Sequence, residues 1–100
     1  MWFPLERFKI TDRSMEPALS EGDHIIVNRL AYIFKKPKVG EIIVFKHPSQ
    51  TKFLVKRISK KLKENSYLVI GDNKAASSDS RTFGPIKIGL IVGKVSIAVK

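Results

Sequence analysis

The chain has 100 residues, 43% of them hydrophobic and 28% charged, which suits one small core and rules out a composition-driven disordered chain. Cysteine is absent, so disulfides, thiolate zinc sites and cysteine nucleophiles are excluded. Nineteen Lys and Arg against nine acids give a formal charge of +10, a balance that attracts anionic partners non-specifically and names no chemistry.

The chain opens on "MWFPL", too short for the apolar core of a signal peptide and followed at once by Glu6 and Arg7. It reads as core or edge packing, or as a small patch that touches a membrane or partner. "RFKIT" then alternates apolar with polar residues and predicts a strand. The next stretch, "TDRSMEPALSEGD", holds Ser14 and Met15 on a turn braced by Pro17 and closed by Gly22 and Asp23.

"DHIIVN", "EIIVFK", "FLVKRIS", "YLVIGD" and "LIVGKVSIAV" follow as further strands, rich in Val, Ile and aromatics. Residues 29–36 predict one short helical turn. Breakers at residues 37–40, 47–49, 64–66 and 84–85 separate the runs. No apolar run approaches the roughly 20 residues of a membrane-spanning helix. Together these predict an all-β domain over residues 1–100, a small antiparallel barrel-like sheet with little helix.

Within "FLVKRISKK", residues two apart share a strand face, so Leu54, Lys56 and Ile58 lie together and Phe53, Val55 and Arg57 lie opposite. An amine between two apolar neighbours loses hydration, which disfavours its charged form and lowers its pKa. A neutral lysine is a competent general base, and Ser14 is a hydroxyl in need of one. The plainer alternative is an edge lysine that snorkels to water and keeps its charge. His24 and His47 are the other bases available to Ser14; neither lies in a context that suggests a triad.

"GDNKAASSDSRTFGPI" is dense in residues that bond their own backbone and fix an irregular loop. Asp79 and Arg81 have the types for a planar carboxylate–guanidinium pair. As a calcium loop it fails on spacing, with no closing Glu, and no metal site or cofactor is expected.

In order and spacing, "SMEPAL", "GDHIIV", "GEIIVF", "VKR", the "GDN" loop and "GLIVGKV" resemble the signal peptidase I family of serine–lysine endopeptidases. The resemblance implies a serine protease that removes an N-terminal leader or signal peptide from a precursor protein, its partner. Ser14 would be the nucleophile and oxyanion donor, and Lys56 the general base. Ser77 would orient the lysine, Asp79 and Arg81 would pair to hold the loop, and Asp72 and Asn73 would shape it. Met15 and Pro17 would line or brace the substrate groove.

Three departures stand out. Asp12 replaces a serine that often donates to the oxyanion in bacterial members, and an ionised carboxylate cannot donate. Ala18 and the "KAAS" stretch also differ. Thirteen residues precede Ser14, and Gly71 lies fifteen positions after Lys56; these spacings resemble a compact, anchorless subgroup, the nickel-type superoxide dismutase maturation proteases. The matching expectation is a chain that is cytoplasmic or peripheral at a membrane, without a transmembrane segment.

Two other readings stay open. One is a self-cleaving repressor-type serine–lysine protease domain, for which the 42-residue Ser14–Lys56 separation is comparable. The other is a non-catalytic basic β-barrel on nucleic acid or anionic surfaces. With 9% aromatics, mostly in core runs, a base-stacking platform is sparse, and no specific nucleic acid is expected.

Overall fold

Which side chains of the central strand are buried decides the architecture. In "IIVFK" the first four positions are apolar, and Ile43, Val44 and Phe45 are all fully buried. Successive strand residues face opposite ways, so this strand must be covered on both faces. The computed structural model, which describes residues 4–99, shows how.

Seven strands form one antiparallel sheet: β1 (Leu5–Lys9), β2 (His24–Asn28), β3 (Ile42–Lys46), β4 (Phe53–Lys61), β5 (Ser66–Ile70), β6 (Ile86–Lys87) and β7 (Ile91–Val99). Their spatial order is β1-β2-β7-β3-β4-β5-β6, and the sheet curls into a half-barrel. Among the described residues, helix is confined to α1 (Ser80–Phe83) and two 3-10 turns, Lys74–Ala76 and Ile88–Leu90. The expected all-β class with little helix is the one observed.

Val44 joins Ile10, Met15, Leu19, Ile25 and Val27 in one core. Ile43 and Phe45 join Ile58, Tyr67, Val69 and Ile86 in a second core. Lys56 pairs in register with Ile43, so its stem belongs on the second core's face. The nine-residue β4 connects the two halves, bonding β3 on one side and β5 on the other.

Two local expectations are corrected. Residues 29–36 form successive hydrogen-bonded turns, such as Ile33 N–H to Leu30 O at 3.2 Å, and no helix. With Pro37 just beyond, the segment lacks the length to propagate one. Conversely, "SRTF" inside the loop read as irregular forms α1, because the Asp79 side chain caps it by accepting from the Arg81 N–H at 3.1 Å. Of the apolar start, residues 1–3 lie outside the described residues, and Leu5 is 54% exposed on the edge strand β1.

β7 is tolerated between β2 and β3 because Gly93 lacks a side chain: a Cβ there would sit 2.4 Å from the Asn28 carbonyl oxygen. Gly93→Ala is therefore expected to cost about 1–3 kcal/mol by overpacking, read as a lowered midpoint of chemical denaturation. A neutral effect would contradict this account of the β2–β7–β3 junction.

Candidate active site

Ser14 stands at the foot of a turn that leaves the sheet after β1 and returns at β2. Ile10 N–H donates to Asp23 O and Gly22 N–H to Ile10 O, each at 2.8 Å, so the two ends of the excursion are tied together. Met15 and Leu19 anchor it in the first core, and Leu19 N–H reaches Met15 O at 3.0 Å. The Glu16–Pro17 peptide bond is cis. With the turn held by these hydrogen bonds and core contacts, Ser14 is only 2% exposed.

Lys56 arrives from the middle of β4, also 2% exposed. Its Nζ donates to Ser14 Oγ at 2.7 Å. Burial pushes the amine's pKa below the ordinary lysine value, against the opposing pull of the Asp12 and Asp79 carboxylates. Lys52 adds a smaller push in the same direction as burial.

The loop after β5 closes the other side. Asn73 N–H donates to Ser14 O at 2.8 Å, and Asn73 Nδ2 to Arg13 O at 3.0 Å. The approach is so close at Gly71 that a Cβ would lie 2.6 Å from Ser14 O and 2.2 Å from Ser77 Oγ. Asp79, completely buried, organises this loop. Its carboxylate accepts from Gly71 N–H at 2.9 Å, Ser77 Oγ at 2.8 Å and the Arg81 guanidinium at 2.9 and 3.1 Å. Burial alone would raise its pKa; Arg81, the Gly71 amide and Ser77 overcome that and hold it well below the usual carboxylate range.

Ser77 donates its hydroxyl proton to Asp79, one of the carboxylates whose charge acts on Lys56. Asp72 is the bidentate partner of Arg57, at 2.9 and 2.8 Å. Arg57 also donates to Gly40 O at 2.8 Å, which ties the β2–β3 connection to the loop. Reading the sequence missed this clamp. Its only signal is register, since Arg57 pairs with Ile70 and Asp72 lies two residues on.

A cleft of about 70 Å³ opens beside Ser14, lined among others by Ile10, Met15, Val44, Leu54 and Val55. Pro17 is exposed and is not part of this lining. A larger cleft of about 440 Å³, bordered by Tyr32, Lys35, Lys36, Lys38 and Lys94, shares no residue with it. The histidines serve elsewhere: His24 Nδ1 accepts from Arg7 at 3.3 Å, and His47 Nδ1 accepts from Ser49 N–H at 3.0 Å. Among the described residues, no group of acids and histidines is placed to hold a metal ion.

The sequence matches the profile of "Signal peptidase, peptidase S26" over residues 1–59 and 58–100. The chain belongs to the signal peptidase family. Membership places it among serine-type endopeptidases. It is 26% identical to signal peptidase I V of Bacillus subtilis, across 91% of this chain and 83% of that protein. Similarity extends to mitochondrial inner membrane protease subunit 1 of Homo sapiens, 32% identical over 82% of this chain and 61% of the relative. Thylakoidal processing peptidase 1 of Arabidopsis thaliana is 27% identical over 85% of this chain, which spans 39% of that protein. Among the described residues, no helix of this family member is long and apolar enough to cross a membrane.

Asp79, with its depressed pKa, contributes stability that is fully present above the ordinary carboxylate value and is lost as pH falls through its folded value. Asp79→Asn is expected to cost roughly 1–3 kcal/mol at pH 7. It should also flatten the fall in Tm below about pH 4. An unchanged acid limb in a thermal-melt series would contradict the assignment.

Proposed function

We propose that this chain is the catalytic unit of an endopeptidase that removes an N-terminal leader from a precursor protein, with Ser14 as nucleophile and Lys56 as general base. The observation that carries the reading is the buried Lys56 Nζ–Ser14 Oγ contact at 2.7 Å, combined with the amine's lowered pKa. Once neutral, the amine accepts where it now donates, and it takes the Ser14 proton as Oγ attacks the scissile carbonyl carbon.

The negative charge that develops on the carbonyl oxygen falls to the Ser14 backbone N–H. Lys56, now an ammonium, returns its proton to the departing amine as the C–N bond breaks. Water then gives a proton to Lys56 and attacks the ester carbonyl; as the C–O bond breaks, Lys56 returns that proton to Ser14 Oγ and the leader leaves with its new carboxyl group. The low-dielectric setting that lowers the lysine pKa also strengthens each of these interactions.

The substrate would enter the cleft as an extended strand. A volume of about 70 Å³ beside Ser14 fits a small side chain next to the scissile bond. Asn73, Asp79, Arg81 and Ser77 hold the loop that backs the dyad, and Asp72 fastens it through Arg57. The short β4–β5 connection, with Glu64 and Asn65 in left-handed conformations at φ 60° and 54°, supports the compact subgroup. Within it, a nickel-type superoxide dismutase proenzyme is the candidate substrate.

The test is cleavage of candidate precursors, followed by mass spectrometry of both products. Ser14→Ala is expected to abolish cleavage, and Lys56→Met to lower it by at least about 10². Because burial disfavours the charged amine, Lys56 costs stability at every pH below its folded pKa, and the cost fades as pH rises toward the ordinary 10.5. Lys56→Met should therefore melt at a higher temperature than wild type at pH 7 while being inactive. A cleaving Lys56→Met variant would remove the lysine from the mechanism.

A further inference from the structure

Asp12 lies two residues before Ser14 and takes both of its hydrogens. One carboxylate oxygen, Oδ1, accepts from Ser14 N–H at 3.0 Å and from Ser14 Oγ at 2.8 Å. The first of these is the donor that a developing oxyanion needs, and an oxyanion donor works at about 2.7–3.1 Å. The second is the proton that Lys56 must receive. In this arrangement Lys56 Nζ donates to the serine oxygen at 2.7 Å while the serine's own proton points away from it.

We propose that Asp12 is a gate on the nucleophile: its carboxylate occupies the oxyanion position at rest, and the substrate's carbonyl must displace it before Ser14 can attack. The inference rests on the serine–lysine reading given above. It belongs to this chain in particular, since a carboxylate can only accept, where a hydroxyl at the same position would donate.

The geometry allows the displacement. Asp12 is exposed and borders the cleft beside Ser14, so its side chain has solvent to swing into. The cation that attracts it is Lys56, and that hold lapses when the amine is neutral; the arginines of the turn and of the loop after β5 have other partners. Arg13 is engaged with Glu16 at 3.1 Å, and Arg81 with Asp79. The charges that face Lys56 are Asp12 from the turn, Asp79 from the loop after β5 and Lys52 ahead of β4. The Asp12 charge also favours the ammonium form of Lys56, so at rest it opposes catalysis twice. A peptide that fills the cleft supplies the binding energy to evict it, whereas one that only brushes the serine does not.

An activated ester tests this without knowledge of the leader. With p-nitrophenyl acetate, Ser14 Oγ forms the ester bond, nitrophenolate leaves, and the serine proton passes to Lys56. Release of nitrophenolate gives the rate, and peptide mapping locates the acetyl group. Asp12→Ala is expected to acetylate Ser14 about 3–10-fold faster than wild type near neutral pH, the worth of a partly exposed charge-assisted bond. Asp12→Asn should move the acid limb of the rate profile to lower pH, because the carboxylate no longer favours the ammonium.

Unchanged or slower Ser14 acetylation in Asp12→Ala overturns the gate. If slowing comes with a matching loss of Tm and is restored by Asp12→Asn, Asp12 is a turn brace. If slowing comes without loss of stability and Asp12→Asn does not restore the rate, Asp12 is itself the base. Ser14 left unlabelled in wild type and every variant overturns the serine–lysine reading, and the gate with it.

Discussion

An amine held out of water against a serine is the constraint around which the molecule is arranged. Desolvation favours the neutral form of Lys56 that the proposed mechanism uses, and desolvation requires that it lie on a covered face of a strand with apolar neighbours. β4 supplies this by placing Lys56 in line with Leu54 and Ile58 and opposite Ile43. The arrangement destabilises the fold locally, and the two cores on either side of β3 offset it. Functional sites commonly carry such local conflicts within an otherwise consistent sequence.

The carboxylates around the dyad have different tasks according to their surroundings. Asp79 is buried, bidentate to Arg81 and bonded to the Gly71 amide and Ser77, so it is a fixed charge that shapes the loop. Asp72 fastens the same loop from outside through Arg57. Asp12 is exposed and bonded to Ser14 itself. Both Asp79 and Asp12 pull the lysine toward its charged form, yet burial outweighs them. In the proposed gate Asp12 is the one that leaves when substrate arrives, whereas Asp79 is fixed by its partners.

Much of this was legible in the residues because periodicity is a local signal. The apolar–Lys–apolar spacing of Leu54, Lys56 and Ile58 placed the amine on a covered face, and the braced turn at Ser14 marked a position where an irregular backbone needs a reason. What was not legible depends on register or on long-range contact. The Arg57–Asp72 clamp needs the pairing of β4 with β5. α1 depends on a cap that only the buried Asp79 provides. Ser77 donates to Asp79 two residues on, and nothing in its sequence neighbourhood marks that bond. The two-residue β6 is too short for any alternation to show.

The protonation state of one side chain tests the account most directly. Selective labelling of lysine and NMR titration of the Lys56 ζ position is expected to give a pKa below the ordinary value of 10.5, with a further drop when Asp12 is replaced by Asn. A Lys56 that titrates with the surface lysines, and is indifferent to Asp12, would contradict it.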